Sequence, residues 1–183
     1  YSLSMDATGF IEYKGESMKE ILRQIFEKNN INADPIKEND LRSRSFIDLV
    51  DSNGLDTLNG FIDFYNMLNN LGIKVIIGTS GMKENVEHQL KSIGLSEQKF
   101  VCAADVAKLK PSPDIFLLAA KKLGEKPENC IVFEDSKAGI EAAHRAGMKA
   151  IGIEQTSSFE ELREADFIVE DYTAFDEGEI KKI

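Results

Sequence analysis

From residue 73 onward, short apolar runs alternate with stretches in which apolar residues recur every three or four positions. An apolar run bounded by turn residues reads as a buried strand, and a 3.6-residue period reads as an amphipathic helix. The pattern predicts strands over 73–77, 100–103, 130–133, 148–153 and 167–169, and helices over 83–93, 113–123, 138–146 and 159–165. Pro113 stands near the start of its helix and Gly124 just past the end, as helix punctuation requires. Continuous apolar strands separated by helices imply α/β architecture: a Rossmann-like, doubly wound parallel sheet covered on both faces. Such sheets bind ligands beyond the carboxyl ends of their strands.

Residues 1–58 have another pattern. Met18, Ile21, Leu22, Ile25 and Phe26 keep the i, i+3, i+4, i+7, i+8 spacing of one helix face, with Gly15 before it and Asn29-Asn30 closing it. A second helix is predicted over 36–50, then a turn at Asp51-Ser52-Asn53-Gly54. Residues 59–71 return as a helix (Phe61, Phe64, Tyr65, Leu68) that leads into the first strand. The chain therefore divides into a small helical unit, 1–58, and an α/β core, 59–183.

The chain has 183 residues, 42% hydrophobic and 30% charged, enough apolar material for a real core. Its net charge of −10 gives no cationic footprint for nucleic acid. An acidic protein that handles phosphate must supply local positive charge through a metal, a lysine or helix N-termini. No apolar run approaches the ~20 residues of a membrane span, and no signal-peptide pattern is visible. Cys102 and Cys130 lie in apolar runs without metal-type spacing and read as free buried thiols. Nothing points to an oxidising compartment, so the expected location is cytoplasmic.

Three segments carry chemistry. After the strand IKVII come Gly78-Thr79-Ser80-Gly81, where hydroxyls and backbone N–H groups can hold an anion at a helix start. The plainer alternative is a turn with Ser or Thr as N-cap. Next, Lys110 precedes Pro111-Ser112-Pro113-Asp114; the prolines aim its ammonium, which can neutralise a transferring phosphoryl group or simply face solvent. Finally, Glu134-Asp135 ends the strand CIVF. Adjacent buried acids repel each other, and a hard cation such as Mg²⁺ relieves the conflict. The alternative there is Asp135 as N-cap of the next helix.

Taken in order, IIGTSG, KPSPDIF and VFEDSKAGIEAAHRAGMKAIGI resemble the haloacid dehalogenase superfamily, in its phosphatase and β-phosphoglucomutase-like branch with a helical cap. The resemblance covers about residues 11–172, including Tyr13-Lys14-Gly15-Glu16-Ser17 as the cap loop. It implies an α-helical cap beside a Rossmann-like core, and Mg²⁺-dependent hydrolysis of a small phosphomonoester through an aspartyl-phosphate. By this resemblance Thr79 holds a phosphoryl oxygen, with Ser80 and the backbone of Gly81 completing the cradle. Lys110 bridges the phosphoryl group and the nucleophile, and Asp135 and Glu134 bind Mg²⁺. Phosphosugar mutase activity is the second expectation, although Met18, followed by Lys19, stands where mutases carry an arginine. Lys19, Arg42 and Arg44 are candidates for reaching substrate phosphate from the cap.

The family's nucleophile motif, Asp-x-Asp-Gly-Thr/Val after an apolar strand, is not found. The nearest string is Met5-Asp6-Ala7-Thr8-Gly9-Phe10, which makes Asp6 the only candidate nucleophile. The sequence suggests that a segment with that motif precedes Tyr1 in the intact protein. The alternatives are self-association through an incomplete sheet, or a non-catalytic binding protein that keeps the fold. His88, His144 and the acidic stretch 171–179 read as structural or solvated.

Overall fold

The computed structural model describes residues 17–180. Helix α1 (Met18–Lys28) starts at Ser17, whose side chain accepts the N–H of Glu20 at 3.2 Å. It buries Ile21, Ile25 and Phe26, packed by Met18, Leu22, Ile31 and Ala33. Helix α2 (Pro35–Asn53) is capped by Asp34, carries Pro at its first position and packs against α1. It runs through the first three residues of the predicted turn 51–54 and breaks at the fourth, Gly54, at φ +77°. Helix α3 (Phe61–Asn70) then leads into the α/β part.

Strand β1 (Ile77–Gly78) pairs in parallel with β2 (Phe100–Val101). Helix α4 (Lys83–Ser92) lies between them in sequence, and α5 (Asp114–Leu123) follows β2. Strands β3 (Ile131–Glu134), β4 (Lys149–Ile153) and β5 (Phe167–Val169) form a second parallel sheet in that order. Helix α6 (Lys137–Arg145) connects β3 to β4, and α7 (Phe159–Leu162) precedes β5. A last short helix, α8, spans Glu177–Ile180. The predicted α/β class stands, but among the described residues the ladder comes in two pieces. The predicted strands 73–77 and 100–103 are correspondingly reduced to two residues each, because extended chain becomes a strand only where a neighbour accepts its hydrogen bonds.

One core joins both pieces. Val101, Ile115, Phe116, Val132, Ile140, Ala150 and Leu162 pack together with little or no exposure. Each such large side chain contributes roughly 1.5–3 kcal/mol relative to an exposed one. Alternation along β3 sends Phe133 to the opposite face. There it meets Phe64 of α3 at 5.0 Å and Phe175 at 5.4 Å between ring centroids, with Tyr172 alongside. This corrects the reading of 171–179 as a solvated tail: its two aromatic residues anchor it, and Asp171 caps the turn Tyr172–Ala174 and accepts from Asn59 at 2.6 Å.

Helix α2 rests on α4 through polar groups. Ser43 donates to Asn85 and Asn39 to the Met82 sulfur, and all but Met82 are buried. His88, read as structural, lies 2.9 Å from Asp51 across this contact. No helix among the described residues is long and apolar enough to cross a membrane. Both cysteines are free; Cys102 is buried as expected, whereas Cys130 is only half-buried.

Candidate active site

The loop after β1 is held to the end of β2: Thr79 N–H donates to Val101 O at 2.9 Å, and Ala103 N–H to Gly81 O at 3.2 Å. The hydroxyl of Thr79 accepts Gly81 N–H at 3.0 Å. Neither Thr79 nor Ser80 is the N-cap of α4. That place falls to Met82, which offers no capping side chain. Among the described residues the first-turn N–H groups of α4 therefore have no side-chain acceptor, and Ser80 Oγ is buried without a hydrogen-bond partner. Open N–H donors at a helix start beside an unsatisfied hydroxyl suit an anion. The N-cap alternative for this loop is not realised.

Lys110 reaches this loop from below. Its ammonium donates to Gly78 O at 3.2 Å, forms an ion pair with Glu134, and sits 4.8 Å from the centre of the Phe116 ring. The Lys110-Pro111 peptide is cis, and Arg145 of α6 donates to Pro111 O at 3.1 Å. Lys108, two residues earlier, is exposed. An ammonium has three donors; two are directed at Gly78 O and Glu134, and the third makes no hydrogen bond among the described residues. Lys110 thus brings the carboxyl ends of β1 and β3 together, although these strands belong to separate sheets.

Glu134 is the last residue of β3 and is buried. Its second oxygen accepts from Ser136 Oγ at 2.8 Å. Asp135 is exposed, and its Oδ2 accepts from Thr156 Oγ at 2.8 Å. Ser157 Oγ donates to its main-chain oxygen. The N-cap of α6 is Ser136, which accepts Gly139 N–H at 3.0 Å, so the capping alternative for Asp135 also fails. Tyr172 lies near both carboxylates; burial first, then Asp135 and Glu134, push its phenol up to about 12.

Hard oxygen donors at this strand end fit Mg²⁺, which takes one or two carboxylates and completes its shell with water and phosphate. Among the described residues, none hydrogen-bonds or pairs with Asp135 Oδ1, whereas both Glu134 oxygens are engaged. The donor set is partial, since among the described residues no group of three or more His, Cys, Asp or Glu could hold a metal. Lys19 is exposed in the first turn of α1, and no contact joins it to these residues; Arg42 and Arg44 are also exposed. Asp6 lies outside the described residues. The sequence assigned no role to Ser136, Gly139, Thr156 or Ser157. The Ser-x-x-Gly spacing after Glu-Asp was the available signal for two of them; none existed for Thr156 and Ser157.

Comparison with known proteins shows the family. The model of the haloacid dehalogenase-like hydrolases matches residues 1–153. Fructose-1-phosphate phosphatase YqaB of Escherichia coli (strain K12) is 31% identical over 157 residues, covering 84% of this chain and 81% of that protein. Validoxylamine A 7'-phosphate phosphatase of Streptomyces hygroscopicus subsp. limoneus is 34% identical over 119 residues, 64% of this chain. The match covers 56% of that relative, so the chain spans about half its length. In three dimensions the chain is similar to a β-phosphoglucomutase of Clostridium difficile, with a TM-score of 0.83 and 27% identity over 99% of this chain and 82% of the other. The matched family model spans most of the chain and the likeness to YqaB agrees with it: the chain belongs to the haloacid dehalogenase-like hydrolase family.

Proposed function

We propose that this chain carries the phosphate- and metal-holding part of an Mg²⁺-dependent phosphatase acting on a small phosphomonoester. One observation carries the reading. The ammonium of Lys110 ties Gly78 O, at the head of the Thr79-Ser80 loop, to the carboxylate of Glu134, whose neighbour is Asp135, so the loop and the acidic pair are held at the ends of β1 and β3. Phosphoryl transfer asks for that combination, since its catalysis is mostly positioning and charge stabilisation. The names of YqaB and of the validoxylamine phosphatase support the same class.

In this reading Thr79, Ser80 and the N–H groups opening α4 orient the phosphoryl oxygens. Lys110 directs its third donor at the same group and offsets the charge that develops there. Glu134 and Asp135 hold Mg²⁺, which when bound polarises the phosphoryl oxygens as a Lewis acid. Residues 1–58 act as a cap that excludes water and selects the small phosphorylated metabolite, and residues 59–183 act as the core. The attacking carboxylate comes from outside the described residues, either Asp6 or another aspartate.

The test is release of inorganic phosphate from a panel of sugar and polyol phosphates, with Mg²⁺ and with EDTA. Mg²⁺-dependent release that Lys110→Ala abolishes is expected. A protein that neither turns over nor binds any of them overturns the reading in favour of a non-catalytic binding protein. A second reading, phosphosugar mutase, is favoured by the likeness to β-phosphoglucomutase. Conversion of a hexose 1-phosphate to its 6-phosphate without free phosphate would establish it.

A further inference from the structure

We infer that Gly139 is a positioning residue: its missing side chain forms the seat in which the Glu134 carboxylate lies. Gly139 occupies the first turn of α6 and is buried. It is not among the glycines with positive φ, so backbone conformation does not demand glycine there. Glycine also weakens a helix relative to alanine. What the position does require is space. A Cβ at 139 would stand 2.0 Å from Glu134 Cδ and 2.1 and 2.4 Å from its two oxygens. By contrast, a Cβ at Gly78 would meet core side chains, Ile115 at 2.9 Å and Phe116 at 3.2 Å.

The seat is linked to the groups that hold Glu134. Gly139 N–H donates to Ser136 Oγ, and Ser136 Oγ donates to Glu134. The other carboxylate oxygen faces Lys110. A methyl at 139 forces the carboxylate out of this place, and one displacement costs both the Lys110 pair and the Ser136 bond. Because the displaced group is the end of a flexible side chain, the fold survives while the site geometry does not. The connection to catalysis rests on the phosphatase reading, but the seat is tested without substrate or metal, so the two fail separately.

The test places Gly139→Ala in three backgrounds: the parent chain, Glu134→Gln and Glu134→Ala. Thermal unfolding is followed in metal- and phosphate-free buffer. Glutamine keeps the shape without the charge, so Gly139→Ala is expected to lower Tm in the first two backgrounds. In Glu134→Ala the seat is empty, and the same substitution is expected to raise Tm by roughly 1–4 °C through the helix alone. A crystal structure of Gly139→Ala is expected to show the Glu134 carboxylate away from Lys110 and Ser136. A Tm change of the same sign and size in all three backgrounds, or an unmoved carboxylate, overturns the inference. If Gly139→Ala alone does not fold, folding of the double variant with Glu134→Ala supports the seat, and its failure to fold overturns it.

Discussion

Replacing Lys110 by methionine keeps an unbranched side chain over Phe116 and removes the charge together with the hydrogen bonds to Gly78 O and Glu134. The side chains of Lys110 and Glu134 are 10% and 7% exposed, so water cannot take over the role of the lost partner. Leaving one member of a buried pair uncompensated costs about 3–5 kcal/mol. Glu134 keeps its bond from Ser136 Oγ, which places the expected loss near the lower end, about 3 kcal/mol. For a chain of this length each kcal/mol shifts Tm by roughly 2–4 °C, so Lys110→Met should lower it by about 6–12 °C. The assay is a thermal melt at pH 7, repeated on Glu134→Gln and on the double variant. Because the cost comes from the orphaned charge, the double variant should recover at least half of the loss. A Tm within about 2 °C of the parent for Lys110→Met, or losses that simply add in the double variant, would refute the buried pair as the clasp between β1 and β3.

Ser80→Ala removes a buried hydroxyl that has no partner, so stability should hold or rise by up to ~1 kcal/mol in urea unfolding. Phosphate affinity, measured by calorimetry, should fall about tenfold or more, since the hydrogen bond lost is to a charged group. Asp166 accepts Ala150 N–H at 2.8 Å and faces His144 at 3.0 Å; these, in that order, hold its carboxyl below the usual range. Its folded value lies below the unfolded one, so its stabilisation is complete above about pH 4 and lost as pH falls below that. Asp166 is more than a third exposed, so the effect is small. Melts from pH 7 to pH 3 should show a shallower acid limb for Asp166→Asn than for the parent, and identical limbs would contradict the assignment.

The parallel architecture was legible because its central strands are apolar on both faces. The run 148–153 was expected as a strand, and β4 is indeed buried from Ala150 to Ile153. Strand length was less legible, since pairing depends on a partner that the local text does not contain; 73–77 kept only its last residue and gained Gly78. The acidic stretch 171–179 misled for another reason. Its charges dominate the composition, while Tyr172 and Phe175 decide its place by packing on Phe64. The α2–α4 contact was invisible because Asn39, Ser43 and Asn85 look like surface residues and are buried against each other's helices.

At the site, the motifs identified Thr79, Ser80, Lys110, Glu134 and Asp135, and the structure brings them to neighbouring strand ends. Which atoms meet was not readable. Thr156 and Ser157 reach Asp135 from 21 and 22 positions away. The demand for glycine at 139 arises from a carboxylate folded back over the helix; the Ser-x-x-Gly spacing marks the position but not that contact.

The central claim is that the Ser80 loop, Lys110 and the Glu134-Asp135 pair form one phosphate and metal site. Calorimetric titration of orthophosphate with and without Mg²⁺ tests it most directly. Binding that Mg²⁺ strengthens at least about tenfold, a coupling near 1.4 kcal/mol, and that Lys110→Met removes, is the expected result. Phosphate binding indifferent to Mg²⁺ and unchanged in Lys110→Met, or no phosphate binding at all, would contradict it.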